Sequence, residues 1–142
     1  MKIFGHPVHL MLIHFPSALF PMDLMCAFLA DYTGNDSFRY AAFCAMTGGV
    51  VFGWLAAIAG MLDLGKIAGS KQSSVKKALI HGGINTVVLI VFTLFVMMAF
   101  KKYPQLTEDS ALILIVKTCA VMLMVAGNFI GGSLVLKDKV LD

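Results

Sequence analysis

Four apolar stretches, about residues 8 to 30, 39 to 62, 76 to 100 and 110 to 136, dominate the chain and fix what it can become. A helix that crosses a bilayer needs ~20 consecutive apolar residues, and each stretch meets that length. The polar segments between them are short: Asp31 to Ser37 is rich in turn formers, Asp63 to Lys77 holds Gly65, Gly69, Ser70, Ser73 and Ser74, and Lys101 to Asp109 contains Pro104. Connections of this length impose antiparallel neighbours. The expected fold is all-α, an integral membrane four-helix up-down-up-down bundle, with residues 1–142 forming one transmembrane domain. Composition agrees, because 59% of the 142 residues are hydrophobic, only 13% are charged and the mean hydropathy is +0.88. Soluble domains average ~45–50% apolar and ~25% charged, so a water-soluble globule is excluded. A net charge of +3 is too modest to suggest a nucleic-acid partner.

Basic residues set the expected orientation. Lys2, Lys66, Lys71, Lys76, Lys77, Lys137 and Lys139 fall on the side that holds both termini, against Arg39, Lys101 and Lys102 on the other. The positive-inside rule then puts both termini in the cytoplasm. Lys117, near the outer end of the fourth stretch, is expected to snorkel to the interface. No cleaved signal peptide is expected: the first stretch is too long, carries Asp23, Pro16 and Pro21, and lacks a small-x-small site. Cys26, Cys44 and Cys119 lie singly within apolar runs and read as packing thiols.

Gly49-x-x-x-Gly53-x-x-x-Ala57 and Gly127-x-x-x-Gly131 put small residues on one helix face. Such faces let backbones, or a flat rigid ligand, approach closely. All four histidines sit in or at the edge of an apolar stretch, His6, His9 and His14 on the first and His81 on the third. Pro7 suits the first helical position, which makes His6 the cap. At 1.5 Å per residue, His14, His81 and Asn128 come to ~7–12 Å from the cytoplasmic side, with Asn85 one turn above His81. Asp63 closes the second stretch at the same interface. Polar residues from four helices thus share one leaflet, which points to a single site.

Neutral imidazole binds haem iron, zinc or copper, and facing helices of a bundle present it well. Zinc recruits carboxylate or thiolate as well, and only Asp63 has a suitable depth. Haem needs two axial imidazoles and an apolar slot: His14 or His9 opposite His81, with the glycine faces giving room for the ring. Asn85 and Asn128 would orient the imidazoles or hold propionates. His9 and His14 stand ~140° apart on a regular helix, so both face one partner only if Pro16 disturbs that turn. Two other readings stay open. One is a structural or assembly subunit whose polar network fixes helix register; the other is a copper or other metal transporter, suggested by ten methionines, with Met11 three residues before His14 and Met22 three before Met25. Asp23, far toward the outer side, reads as a solvated or interfacial acid, with a proton path as the alternative.

The opening Gly5-His6-Pro7-Val8-His9, followed by Ile13-His14-Phe15-Pro16, resembles the start of a bacterial four-helix membrane family catalogued only as a domain of unknown function. The likeness continues through Gly60-x-x-Asp63, Leu79-Ile80-His81 with Asn85, and Gly127 with Gly131-Gly132-x-Leu134-Val135. Some relatives are joined to Rieske iron-sulfur or cytochrome domains, so the resemblance implies a redox setting in the bacterial inner membrane. Relatives often end in a Tyr-Arg-His-Gly stretch, from which Leu136-Lys137-Asp138-Lys139 departs. The expectation is therefore a haem b electron-transfer or anchor subunit, without substrate turnover of its own. Its axial pair is His14 and His81, with His9 and His6 as further ligand candidates and Asn85, Asn128 and Asp63 behind them. Its expected partners are the lipid bilayer and an iron-sulfur or cytochrome protein, in a homo- or hetero-oligomer.

Overall fold

The structure is a computed structural model that describes residues 2–3, 6–67 and 72–136. Lys2–Ile3 (β1) and His6–Pro7 (β2) form a two-residue antiparallel pairing, and the other regular elements among the described residues are helices: α1 (Val8–Leu12), α2 (His14–Thr33), α3 (Asp36–Ile67), α4 (Gln72–Lys102) and α5 (Ala111–Leu136). Among the described residues four spans are long and apolar enough to cross a membrane, Val8–Thr33, Asp36–Gly65, Ser74–Lys102 and Ala111–Ser133. Each overlaps one of the four apolar stretches of the sequence. The helix begins at Val8 rather than Pro7, and the first span is broken at Ile13, so α1 and α2 are separate segments. Pro16 accounts for the break, since it has no N–H to offer the Leu12 carbonyl.

Helix ends follow from local chemistry. Gly34 takes a left-handed φ of 67° that closes α2, donating its N–H to the Ala30 carbonyl at 2.8 Å. Asn35 then accepts the Ser37 N–H at 2.9 Å and opens α3, so two residues suffice for the first connection. The polar segment expected over Asp63 to Lys77 is largely helical, because α3 continues to Ile67 and α4 starts at Gln72. At the far end of the molecule the connections are tied together: Tyr40 Oη donates to the Pro104 carbonyl at 2.6 Å, and Arg39 bridges Asp36 and Glu108.

Contacts run in opposite order along neighbouring helices, in agreement with the up-down-up-down arrangement. His9 and Phe15 meet Ala56 and Phe52, Trp54 meets Thr93 while Phe43 meets Phe100, and Ser17 and Asp23 meet Asn128 and Lys117. The core is a layer of Phe20, Met46, Val50, Val88, Leu89, Phe92 and Met124. Phe20 of α2 stacks on Phe92 of α4 at 3.9 Å across the centre of the bundle. Large apolar side chains such as Met61, Leu94, Ile115 and Phe129 lie exposed on the exterior, as expected of helices that face lipid.

The glycine faces are closed by side chains. A Cβ at Gly49 would lie 2.5 Å from the Phe20 ring, and one at Gly53 would lie 2.6 Å from Leu89. These positions are glycine because a neighbouring side chain already fills the space; the sequence predicts room here for a flat ring, and Gly49 and Gly53 provide none.

Lys117 and Asp23 differ from expectation too. Lys117 is 2% exposed and does not snorkel: its Nζ donates to Asp23 Oδ1 at 3.0 Å and to Asp109 Oδ2 at 2.7 Å. Asp23 is fully buried rather than solvated. The two lie at one level on facing helices, and mutual attraction in a dry interior outweighs the pull of the interface.

Glycine packing gives a paired prediction. Gly49→Ala should destabilise the protein by ~1–3 kcal/mol, because the methyl group must displace a stacked aromatic ring. Gly82→Ala, where a Cβ meets nothing within 4 Å, should be neutral or stabilising. Unfolding of both variants in detergent, followed by circular dichroism, checks the difference.

Candidate functional site

The end of the bundle opposite Gly34 and Pro104 gathers most of the expected residues. His9 projects from α1 and donates its Nδ1 proton to the Ala56 carbonyl of α3 at 2.8 Å. His81 projects from α4 and donates its Nδ1 proton to the Gly127 carbonyl of α5 at 2.7 Å. A carbonyl can only accept, so each contact assigns the proton to Nδ1 and leaves the lone pair of the neutral ring on Nε2.

Local sequence explains how a helix carbonyl can receive a second donor. Ala56 is four residues before Gly60, and Gly127 is four residues before Gly131. In a helix the residue at i+4 covers the carbonyl of residue i, and a glycine there leaves it open from the side. The imidazoles occupy that opening. A Cβ at Gly60 would lie 3.0 Å from the His9 ring, and one at Gly131 would lie 2.6 Å from the His81 ring. The same device, a histidine seated over a small-x-x-x-Gly step, is thus used twice. The two rings face each other edge to face, 6.3 Å between centroids and 84° between planes.

Asn85 lies one turn beyond His81 and donates its amide to the His81 carbonyl at 3.0 Å; its amide nitrogen is also 3.1 Å from Nδ1. Asn85 thereby borders the imidazole as expected. Its amide is 3.0 Å from where a Cβ of Gly127 would stand, so that glycine makes room for it.

The remaining candidates separate. His14, expected opposite His81, is exposed on the outside of α2, and His9 takes the inner position. The break at Ile13 does not turn both histidines to one face, which follows from their angular spacing. Asn128 touches neither imidazole: it donates to Ser17 Oγ at 3.0 Å, and Ser17 in turn donates to the Ile13 carbonyl at 2.7 Å, steadying the segment next to the break. Asp63 is buried one turn past Gly60, at the same end of α3. The side chain of His6 lies outside the described residues, as do Lys137, Asp138 and Lys139. Met11, His14, Met22 and Met25 are exposed on the exterior, so neither the Met11–His14 nor the Met22–Met25 pair lines an interior path.

Among the described residues no group of three or more His, Cys, Asp or Glu side chains is placed to hold a metal ion. What the site offers is a pair of half-buried imidazoles, each with its Nδ1 engaged by a helix carbonyl. Sequence reasoning missed the two carbonyls and the role of Gly60, although the spacing Ala56-x-x-x-Gly60 repeats Gly127-x-x-x-Gly131 and signals them. It also missed the joining of Asp23 to Lys117, although opposite charges at one depth on the first and fourth spans were visible.

No curated protein and no solved structure matches the chain. A family described as Predicted membrane protein (DUF2231) matches over residues 5–142, nearly the whole length and all four apolar helices, and the chain belongs to that family.

Proposed function

We propose that this protein is a b-type haem-binding electron-transfer or anchor subunit of the bacterial inner membrane, with His9 and His81 as the axial pair. The observation that carries the reading is the commitment of both Nδ1 protons to helix carbonyls. Ligating histidines are characteristically held this way by an outer partner that fixes the tautomer and aims the other nitrogen. The two rings meet with 6.3 Å between centroids, so both lie within reach of one bound group. Two imidazoles suffice for haem iron, whereas a structural zinc asks for four ligands; the porphyrin would enter by displacing side chains that fill the small-residue positions, Leu89 at Gly53 and Ile84 at Gly127 among them.

His9 and His81 would hold the iron, Ala56 and Gly127 would orient them, and Asn85 would support His81. The bound group would supply one-electron chemistry, and the protein would contribute ligation and a dry surround. Both termini lie in the cytoplasm on this reading, from the lysine distribution. The electron partner is an iron-sulfur or cytochrome protein, in keeping with the family resemblance. A second reading, a structural or assembly subunit, draws on the same hydrogen bonds, since imidazoles that clamp α1 to α3 and α4 to α5 also fix helix register.

Reduced-minus-oxidised visible spectra of the purified protein separate the two. Sharp b-type bands are expected, lost in His9→Ala and in His81→Ala and retained in His14→Ala; a colourless, folded protein with no haem on pyridine extraction overturns the haem reading. Metal analysis of the same sample tests for copper. Gly131→Ala should shift or weaken the bands because it displaces the His81 ring, while Gly132→Ala, with open space at its Cβ, should leave them unchanged.

A further inference from the structure

The buried ion cluster at the other end of the bundle has no part in that reading. Lys117 sits between Asp23 and Asp109, with side-chain exposures of 3%, 0% and 26% in that order. Two carboxylates and one ammonium carry one excess negative charge, which a low-dielectric interior does not tolerate without compensation. Asp23 Oδ1 is met by Lys117, but Asp23 Oδ2 is buried with no partner among the described residues. Thr47 Oγ1 is likewise buried without a partner. The packing of Phe20 on Gly49 below and of Ala27 with Ala42 above brings Thr47 of α3 to the level of Asp23.

Water has a way in. A cleft of about 50 Å³, lined by Phe95, Lys102, Thr107, Glu108, Asp109 and Lys117, reaches the ion cluster from the segment between α4 and α5. That is enough to admit water.

We propose that Asp23, Lys117 and Asp109 form a proton-uptake site that opens to the aqueous phase at this end of the bundle, with Asp23 as the inner, proton-accepting carboxylate. A proton from water adds to the Asp109 carboxylate. Lys117 passes an Nζ proton to Asp23 and recovers one from Asp109, which leaves Asp23 neutral, Lys117 and Asp109 charged, and the cluster without net charge. The proton arrives on Asp23 Oδ1, the oxygen that Lys117 meets; rotation of the carboxyl about its Cβ–Cγ bond then turns the O–H to the side of the unpartnered oxygen, where Thr47 Oγ1 is the polar group at its level, and returns a bare oxygen to Lys117. Other titratable groups around the cluster are engaged elsewhere or lie to the side. Lys102 donates to Thr107 at 2.8 Å, Glu108 pairs with Arg39, and Cys26 is a buried thiol one turn along α2. Nothing in this proposal depends on haem.

Infrared difference spectroscopy between high and low pH, on the full-length protein in lipid nanodiscs, reads the protonation directly. The wild type should show the carbonyl band of a protonated carboxyl that moves in D₂O. The band should be lost in Asp23→Asn and in Asp109→Asn, each of which removes the excess negative charge. It should grow in Lys117→Gln, where both carboxylates lose their cation. If Asp23→Asn does not fold, Asp109→Asn at the wetter end of the cluster carries the same test. Absence of the band from the folded wild type, or its survival in Asp23→Asn, would overturn the proposal; a merely structural ion pair gives the first of these results.

Discussion

A single contact organises the functional end of this bundle: an imidazole N–H donating to a helix carbonyl that a glycine four residues later leaves uncovered. In a bilayer the main chain satisfies itself within each helix, so helices gain nothing from water on separating and little from apolar contact on meeting. A carbonyl retains a second lone pair, however, and a side chain from a neighbouring helix can use it. His9 and His81 do so on Ala56 and Gly127, each through the gap at Gly60 or Gly131. The contact joins two helix pairs, fixes which nitrogen is protonated and sets the position of both rings. Adding one methyl group at either glycine would disturb all three.

The rest of the interior shows how sparingly a membrane bundle spends polarity. Asn128 and Ser17 bond to each other beside the break at Ile13, where Pro16 leaves the Leu12 carbonyl without its helical donor. Asn85 returns to the carbonyl of its own helix. Trp54 donates to Thr93 on the neighbouring helix at 3.1 Å. Polar groups are thus held where the backbone is interrupted or a neighbour offers an acceptor, and the central layer around Phe20 and Phe92 is left to apolar packing.

The architecture was legible in the sequence because membrane crossing imposes a length that four runs of apolar residues satisfy. His81 and Asn85 were legible as a pair because i, i+4 spacing puts them on one face. The choice between His9 and His14 was only half legible: the angular spacing said that one must face away, but the direction depends on how α1 packs against α3, and α1 is only five residues long. Glycine faces were seen as spaces without a tenant, since periodicity marks the hole and not the side chain that fills it. Lys117 reads as an interfacial residue for a similar reason. Depth alone favours snorkelling, and the partner that reverses the preference lies 94 residues away in sequence.

That separation bears on how the chain is made. Asp23 leaves the ribosome long before Lys117, and at ~5–20 residues per second the interval is ~5–20 s. For that time the first helix carries an acid whose counter-charge does not yet exist. The α2–α3 hairpin, closed by the two-residue connection at Gly34 and Asn35, is the unit that must wait. Emergence of α5 therefore supplies the cation that lets Asp23 settle in the interior.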